Sequence, residues 1–169
     1  MFKLSHIILA VVFILGAVLT GCKSTPPVAK SGDTVQVNYT GKLADGTVFD
    51  SSVGSEPYEF TLGMGQTIAG FDKAVIGMKV GDKKTVIIPA DDAYGQHLDD
   101  MVIQVSRDRI RSDKEPQVGQ ILEATREDGQ TVRFTIAAVS DNGTVTLDAN
   151  HPLAGKDLTF DIELVKINK

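Results

Sequence analysis

Val35, Val37 and Tyr39 alternate with Gln36, Asn38 and Thr40, the period of two expected of a strand with one buried face. A strand is predicted over Asp33–Leu43, followed at Asp45-Gly46 by a hairpin turn of primed type, which needs positive φ. Further strand-like runs cover Thr47–Asp50, Tyr58–Leu62 and Lys83–Ile88. Between the last two, Phe71, Ala74, Val75 and Met78 fall at i, i+3, i+4 and i+7. That spacing predicts a helix near Ala69–Met78 with one apolar stripe against a sheet. Alternating runs around a single helix give an α+β class: an antiparallel β-sheet wrapped on one short helix.

After Ala93-Tyr94-Gly95 the pattern changes. Val102–Val105 and Ile121–Arg126 are strand-like, Glu127-Asp128-Gly129 marks a turn, and Thr131–Val139 alternates in part. Asp141-Asn142-Gly143 then turns the chain into Thr144–Leu147. A structureless loop of this length is improbable inside a domain, so residues 97–149 are predicted to form a second, small β-rich inserted domain. Asn150-His151-Pro152-Leu153-Ala154-Gly155 returns the chain to a last strand, Leu158–Ile167. The parent domain is thus 32–96 and 150–169.

The N-terminal end reads differently. Lys3 and His6 precede an apolar run, Ile7–Leu19, of signal-peptide length and short for a membrane span. It closes at Leu19-Thr20-Gly21-Cys22, which resembles the lipobox of bacterial lipoproteins. That resemblance implies a signal peptide over 1–21 and lipidation of Cys22. Because Cys22 is the only cysteine, no intramolecular disulfide competes for it. Residues 22–31 are polar and proline-bearing, as a tether would be. The implied location is the bacterial cell envelope. Lys23 lacks the aspartate associated with inner-membrane retention, which points to the periplasmic face of the outer membrane.

Charge narrows the partners. The chain carries a net −5, and loss of residues 1–21 would remove Lys3 and no carboxylate, leaving −6. No basic footprint exists for nucleic acid, so none is expected as a partner. Gly63-Met64-Gly65 does not continue in dinucleotide-loop register, since the next glycine is Gly70. His97 and His151 stand alone, without a ligand-spaced partner, and His151 is expected to order the return loop. The acidic pairs Asp91-Asp92 and Asp99-Asp100 read as solvated turns. No metal or cofactor is expected.

The series NYTGKLADGTVFDSS (Asn38–Ser52), EPYEFTLG, IAGFDKAVIGMKVGD, ADDAYG and LTFDIELVKI resembles the FKBP-type peptidyl-prolyl isomerases. An insert after the AYG segment, returning through N-H-x-L-A-G, resembles the SlyD branch, whose insert-in-flap module binds unfolded polypeptide. The chemistry such a resemblance implies needs no strong acid, base or nucleophile. The barrier to X-Pro rotation is amide resonance, about 18–20 kcal/mol, and the twisted transition state is less charge-separated than the planar amide. A dry apolar cleft therefore binds the transition state better than the ground state.

The resemblance makes Tyr39, Phe49, Tyr58, Phe71 and Phe160 aromatic walls. It makes the Ile68 N–H and the Tyr94 hydroxyl donors to substrate carbonyls. Asp50 would orient Tyr39, and Leu153 would close the pocket from the return segment. Phe160, and likewise Phe60, could instead be plain core, and Phe71 lies on the helix stripe. Phe71 stands where single-domain relatives usually carry tryptophan, and Thr67 where a branched aliphatic is common, which reshapes the floor. The implied protein is a lipid-anchored isomerase and folding chaperone acting on unfolded or proline-containing polypeptides among exported proteins. The alternative is a non-catalytic envelope chaperone or binding module on the same scaffold.

Overall fold

The computed structural model describes residues 26–110, 115–126 and 128–168. In chain order its elements are β1 (Thr34–Lys42), β2 (Val48–Ser51), β3 (Tyr58–Thr61), α1 (Ala69–Val75), β4 (Lys83–Ile88), β5 (Val102–Ser106), β6 (Ile121–Thr125), β7 (Thr131–Val139), β8 (Thr144–Asp148) and β9 (Leu158–Asn168). The α+β arrangement expected from the hydropathy pattern is the one observed. β1 organises the larger sheet because both its edges are used. One edge pairs antiparallel with β9, which carries β4 beyond it. The other edge is shared: β2 pairs with Thr40–Lys42 and β3 with Thr34–Val37. Between those two partners the edge is open at Tyr39.

Strict alternation puts Leu158, Phe160, Ile162 and Leu164 of β9 on one face, beside Val35 and Val37 of β1. Phe71, Ala74 and Val75 of α1 cover that face and complete the core with Phe60, Leu62, Met78 and Ile88. The helix is shorter than its stripe predicts. It ends at Val75 because Gly77 adopts φ +85° and its N–H turns to the carbonyl of Ala29 (2.8 Å). Ala29 returns the bond to the Met78 carbonyl (2.8 Å), Val28 bridges Lys79, and Ala29 is buried. Met78 thus stays in the core without being helical, and the end of the segment read as a tether packs on the body.

The turn at Asp45-Gly46 is a hairpin, but not of primed type. Only Gly46 has positive φ (+85°). Gly46 N–H donates to the Leu43 carbonyl and Leu43 N–H to that of Thr47, each at 2.9 Å. This is a type I turn with a glycine bulge, the usual three-residue solution. The same device recurs at Gly143 (φ +83°) and at Gly129 (φ +82°), where Glu127 lies outside the described residues.

Residues 102–148 build their own four-stranded antiparallel sheet, in the order β5-β8-β7-β6. Its core is separate and small: Ile136, Val145 and Leu147 are buried, with Val105, Ile110, Leu122 and Phe134 packed around them. The two crossings into the main body are clasped together. Asn150 accepts the Leu98 N–H at Oδ1 and donates from Nδ2 to the Leu98 carbonyl, both at 2.9 Å. His97 Nε2 meets Asp148 Oδ2 at 3.0 Å, and Gly155 N–H donates to the Gly95 carbonyl (2.8 Å). Among the described residues, no helix is long and apolar enough to cross a membrane. The expected signal peptide and Cys22 lie outside the described residues.

Candidate active site

The open edge of β1 is where the site forms. On this edge Tyr39 finds no strand opposite, so its main chain is held there by side chains and by the residue after β2. Ser52 Oγ accepts the Tyr39 N–H (2.8 Å), Ser52 N–H donates to the Tyr39 carbonyl (3.0 Å), and Ser51 Oγ donates to it (3.1 Å). The gap leaves a cavity of about 260 Å³ between sheet and helix. Two residues on, Gly41 permits two rings to cross the strand. A Cβ there would lie 2.6 Å from Phe49 Cζ and 2.9 Å from Phe160 Cε1.

Eight of the predicted site residues line this cavity together: Tyr39, Phe49, Asp50, Tyr58, Ile68, Phe71, Tyr94 and Phe160. The aromatic walls meet largely edge to face, the arrangement ring quadrupoles favour. Phe71 and Phe160 centroids are 5.2 Å apart at 75°, Tyr39 and Phe71 5.7 Å at 80°, and Phe49 and Phe160 5.7 Å at 87°. Phe71 and Phe160 are therefore core and wall at once, each buried and each facing the cavity. Phe60 is core, stacked on Tyr58 at 5.5 Å and outside the lining. Leu153 does not line the cavity; it packs against the main core from the return segment. Gln66 and Thr67 do line it. Gln66 was not anticipated: its Oε1 accepts the Thr61 N–H (2.7 Å), which ties the rim loop to β3.

The polar groups are few and placed at the rim. Tyr39 donates its phenolic proton to Asp50 Oδ2 at 2.6 Å. Burial first, then that bond and the Asp50 charge, push the Tyr39 phenol well above its ordinary range. It is a proton donor at any physiological pH. Ile68 precedes α1 with extended geometry (φ −63°, ψ 145°), and among the described residues nothing accepts its N–H. Tyr94 follows the short 3-10 turn Ala90–Asp92 and is about 40% exposed at the mouth. His151 does order the return loop, its Nδ1 accepting the Leu153 N–H (3.1 Å). It also stacks on Tyr94, a contact the sequence did not signal. Among the described residues, no three His, Cys, Asp or Glu side chains gather as a metal site.

The arrangement can take a flat, apolar ring between aromatic walls and offer isolated donors to flanking carbonyls. Residues 26–165 match the family model for FKBP-type peptidyl-prolyl cis-trans isomerases. The chain is 36% identical over 150 residues to a short-type peptidyl-prolyl cis-trans isomerase of Methanocaldococcus jannaschii, covering 80% of this chain and 91% of that protein. It is 35% identical over 140 residues to an FKBP-type 16 kDa isomerase of Escherichia coli, covering 82% and 93%. It is 38% identical over 135 residues to SlyD of Escherichia coli, covering 80% of this chain and 68% of that protein.

Proposed function

The chain belongs to the FKBP-type peptidyl-prolyl cis-trans isomerases, and from that premise we propose how its cavity works and where. A prolyl ring enters between Tyr39, Phe71 and Phe160, and the amide before it twists in a water-poor box. A rate gain of about 10⁴ needs only about 5–6 kcal/mol of differential binding, within reach of such walls and one or two aimed donors. The Ile68 N–H and the Tyr94 hydroxyl hold the carbonyls flanking the ring. Asp50 keeps the Tyr39 phenol at the rim through their 2.6 Å bond. The observation that carries this reading is the convergence on one cavity of eight residues from distant segments of the chain.

The test is isomerisation of a short X-Pro peptide by the chain and by two variants. Asp50→Ala releases the Tyr39 phenol and is expected to lower kcat/KM roughly tenfold, the worth of one charged hydrogen bond. Tyr94→Phe removes a single donor and is expected to cost about three- to tenfold. Wild-type turnover no faster than the uncatalysed rate would leave only the binding-module reading.

The finer reading is a folding helper for exported proteins. The apolar run ending at Cys22 supports a lipid anchor, since several acyl chains hold a protein durably at a bilayer. The β5–β8 sheet leaves β5 and β6 each paired on one side only, and such edges accept extended chains. Membrane fractionation of the full chain against Cys22→Ser tests the anchor. Equal distribution of the two would sink it.

A further inference from the structure

Of the three phenols that line the cavity, Tyr39 and Tyr94 carry the polar roles and are held by different means. Tyr39 is fixed by a hydrogen bond to Asp50. Tyr94 has no such tether: among the described residues nothing hydrogen-bonds its hydroxyl, and its ring is exposed along one side. What covers its other side is the imidazole of His151. The ring centroids are 3.9 Å apart and the planes are 2° from parallel.

His151 is itself immobilised from the opposite direction. Its Nδ1 accepts the Leu153 N–H (3.1 Å) and its carbonyl accepts the Ala154 N–H (2.9 Å). An accepting Nδ1 places the proton of the neutral ring on Nε2. Burial holds the imidazole below its ordinary pKa, consistent with that neutral form. One step further along, Gly155 N–H bonds the Gly95 carbonyl (2.8 Å), next to Tyr94. The return segment is thus pinned at both ends, with His151 presented flat to the phenol.

We propose that His151 is a positioning residue for Tyr94, fixing through ring stacking the direction in which the Tyr94 hydroxyl meets a substrate carbonyl. The segment leaving the β5–β8 module then supplies part of the working site without touching substrate. The inference rests on Tyr94 acting as a donor, as argued above. It goes further in tying that donor to a residue outside the cavity lining.

The experiment compares kcat and KM on an X-Pro peptide for His151→Ala and His151→Phe, each alone and with Tyr94→Ala, in the full chain. His151→Ala is expected to lower kcat/KM roughly three- to tenfold, the range to which the coupling of an aromatic pair converts. His151→Phe restores a flat ring and is expected to recover to within about twofold of wild type. With Tyr94→Ala already present, His151→Ala is expected to add nothing. NMR of the Tyr94 ring protons reads the stack without reference to activity. An upfield shift lost in His151→Ala and regained in His151→Phe supports it. Equal impairment of His151→Ala and His151→Phe, or a His151→Ala loss that persists undiminished beside Tyr94→Ala, overturns the proposal. A stack intact by NMR in a wild-type chain with no isomerisation overturns the donor role of Tyr94 as well.

Discussion

At the scale of single residues, the site depends on Tyr39 lacking a strand partner on its β2–β3 edge and yet being rigid. Ser51 and Ser52 replace the missing ladder bonds, so the polar end of the Asn38–Ser52 run serves the backbone while its aromatic members serve the cavity. Gly41 is the tightest point. Alanine there drives Cβ to within 2.6 Å of Phe49 and 2.9 Å of Phe160, and both rings must retreat. Gly41→Ala is expected to cost about 1–3 kcal/mol in urea denaturation, as overpacking does, and to lower peptide isomerisation with it. Unchanged stability would mean the rings have room to shift. The Tyr39 phenol gives a pH signature. Its folded-state pKa is raised above the ordinary phenol value of about 10, so its contribution to stability is complete below that value and is lost as pH rises further. Wild type is therefore expected to lose stability above about pH 10 faster than Tyr39→Phe, measured as denaturant midpoints against pH. Parallel curves would rule out a protonated, Asp50-bound phenol as the cause.

At the scale of elements, periodicity was the legible signal. A period-two run located β1, strand-like runs located the other four strands of the main sheet, and the 3.6-period stripe located α1. What escaped depends on contacts between distant segments. Gly77 is a local stop for α1, but what fixes its place is distant: the carbonyl of Ala29, dozens of residues upstream, accepts its N–H. Nothing local places Gln66 on the rim or His151 against Tyr94. Likewise Asp45-Gly46 specifies a hairpin, but the bulged three-residue form follows from the pairing of its strands, and Asp45 Oδ1 caps it by accepting the Thr47 N–H (2.9 Å). Asp128 and Asn142 repeat that bond to Gln130 and Thr144. The β5–β8 sheet tests whether its elements stand alone. Among the described residues its apolar cluster has three buried members, and Ile136 is fully enclosed. Ile136→Ala removes about 2–5 kcal/mol of packing, comparable to all that so small a core supplies. Amide hydrogen exchange is expected to show lost protection across 102–148 and intact protection in β1, β4 and β9. Loss in both sheets together would mean one cooperative unit.

At the scale of the whole molecule, two separate cores meet at a clasp made of His97, Leu98, Asp148 and Asn150. Tyr94, Gly95, His151 and Gly155 lie on the cavity side of that clasp. Deleting residues 98–148 joins His97 to Ala149 and removes the whole second sheet, while every residue of the cavity lining and the Tyr94–His151 stack remain in the chain. Isomerisation of a short peptide is then expected to stay within about threefold of the full chain. Refolding of a protein limited by a prolyl step is a different demand. Such a step takes tens of seconds, and a client held nearby meets the cavity at an effective concentration of order mM, which a freely diffusing one does not reach. The same deletion is therefore expected to slow catalysed refolding by about tenfold or more, followed by fluorescence during recovery from denaturant. The ratio of the two losses is the informative quantity. Equal losses would mean that the deletion has damaged the cavity through the clasp. No loss in refolding would mean that β5–β8 holds no client, and that the cavity meets its polypeptides unaided.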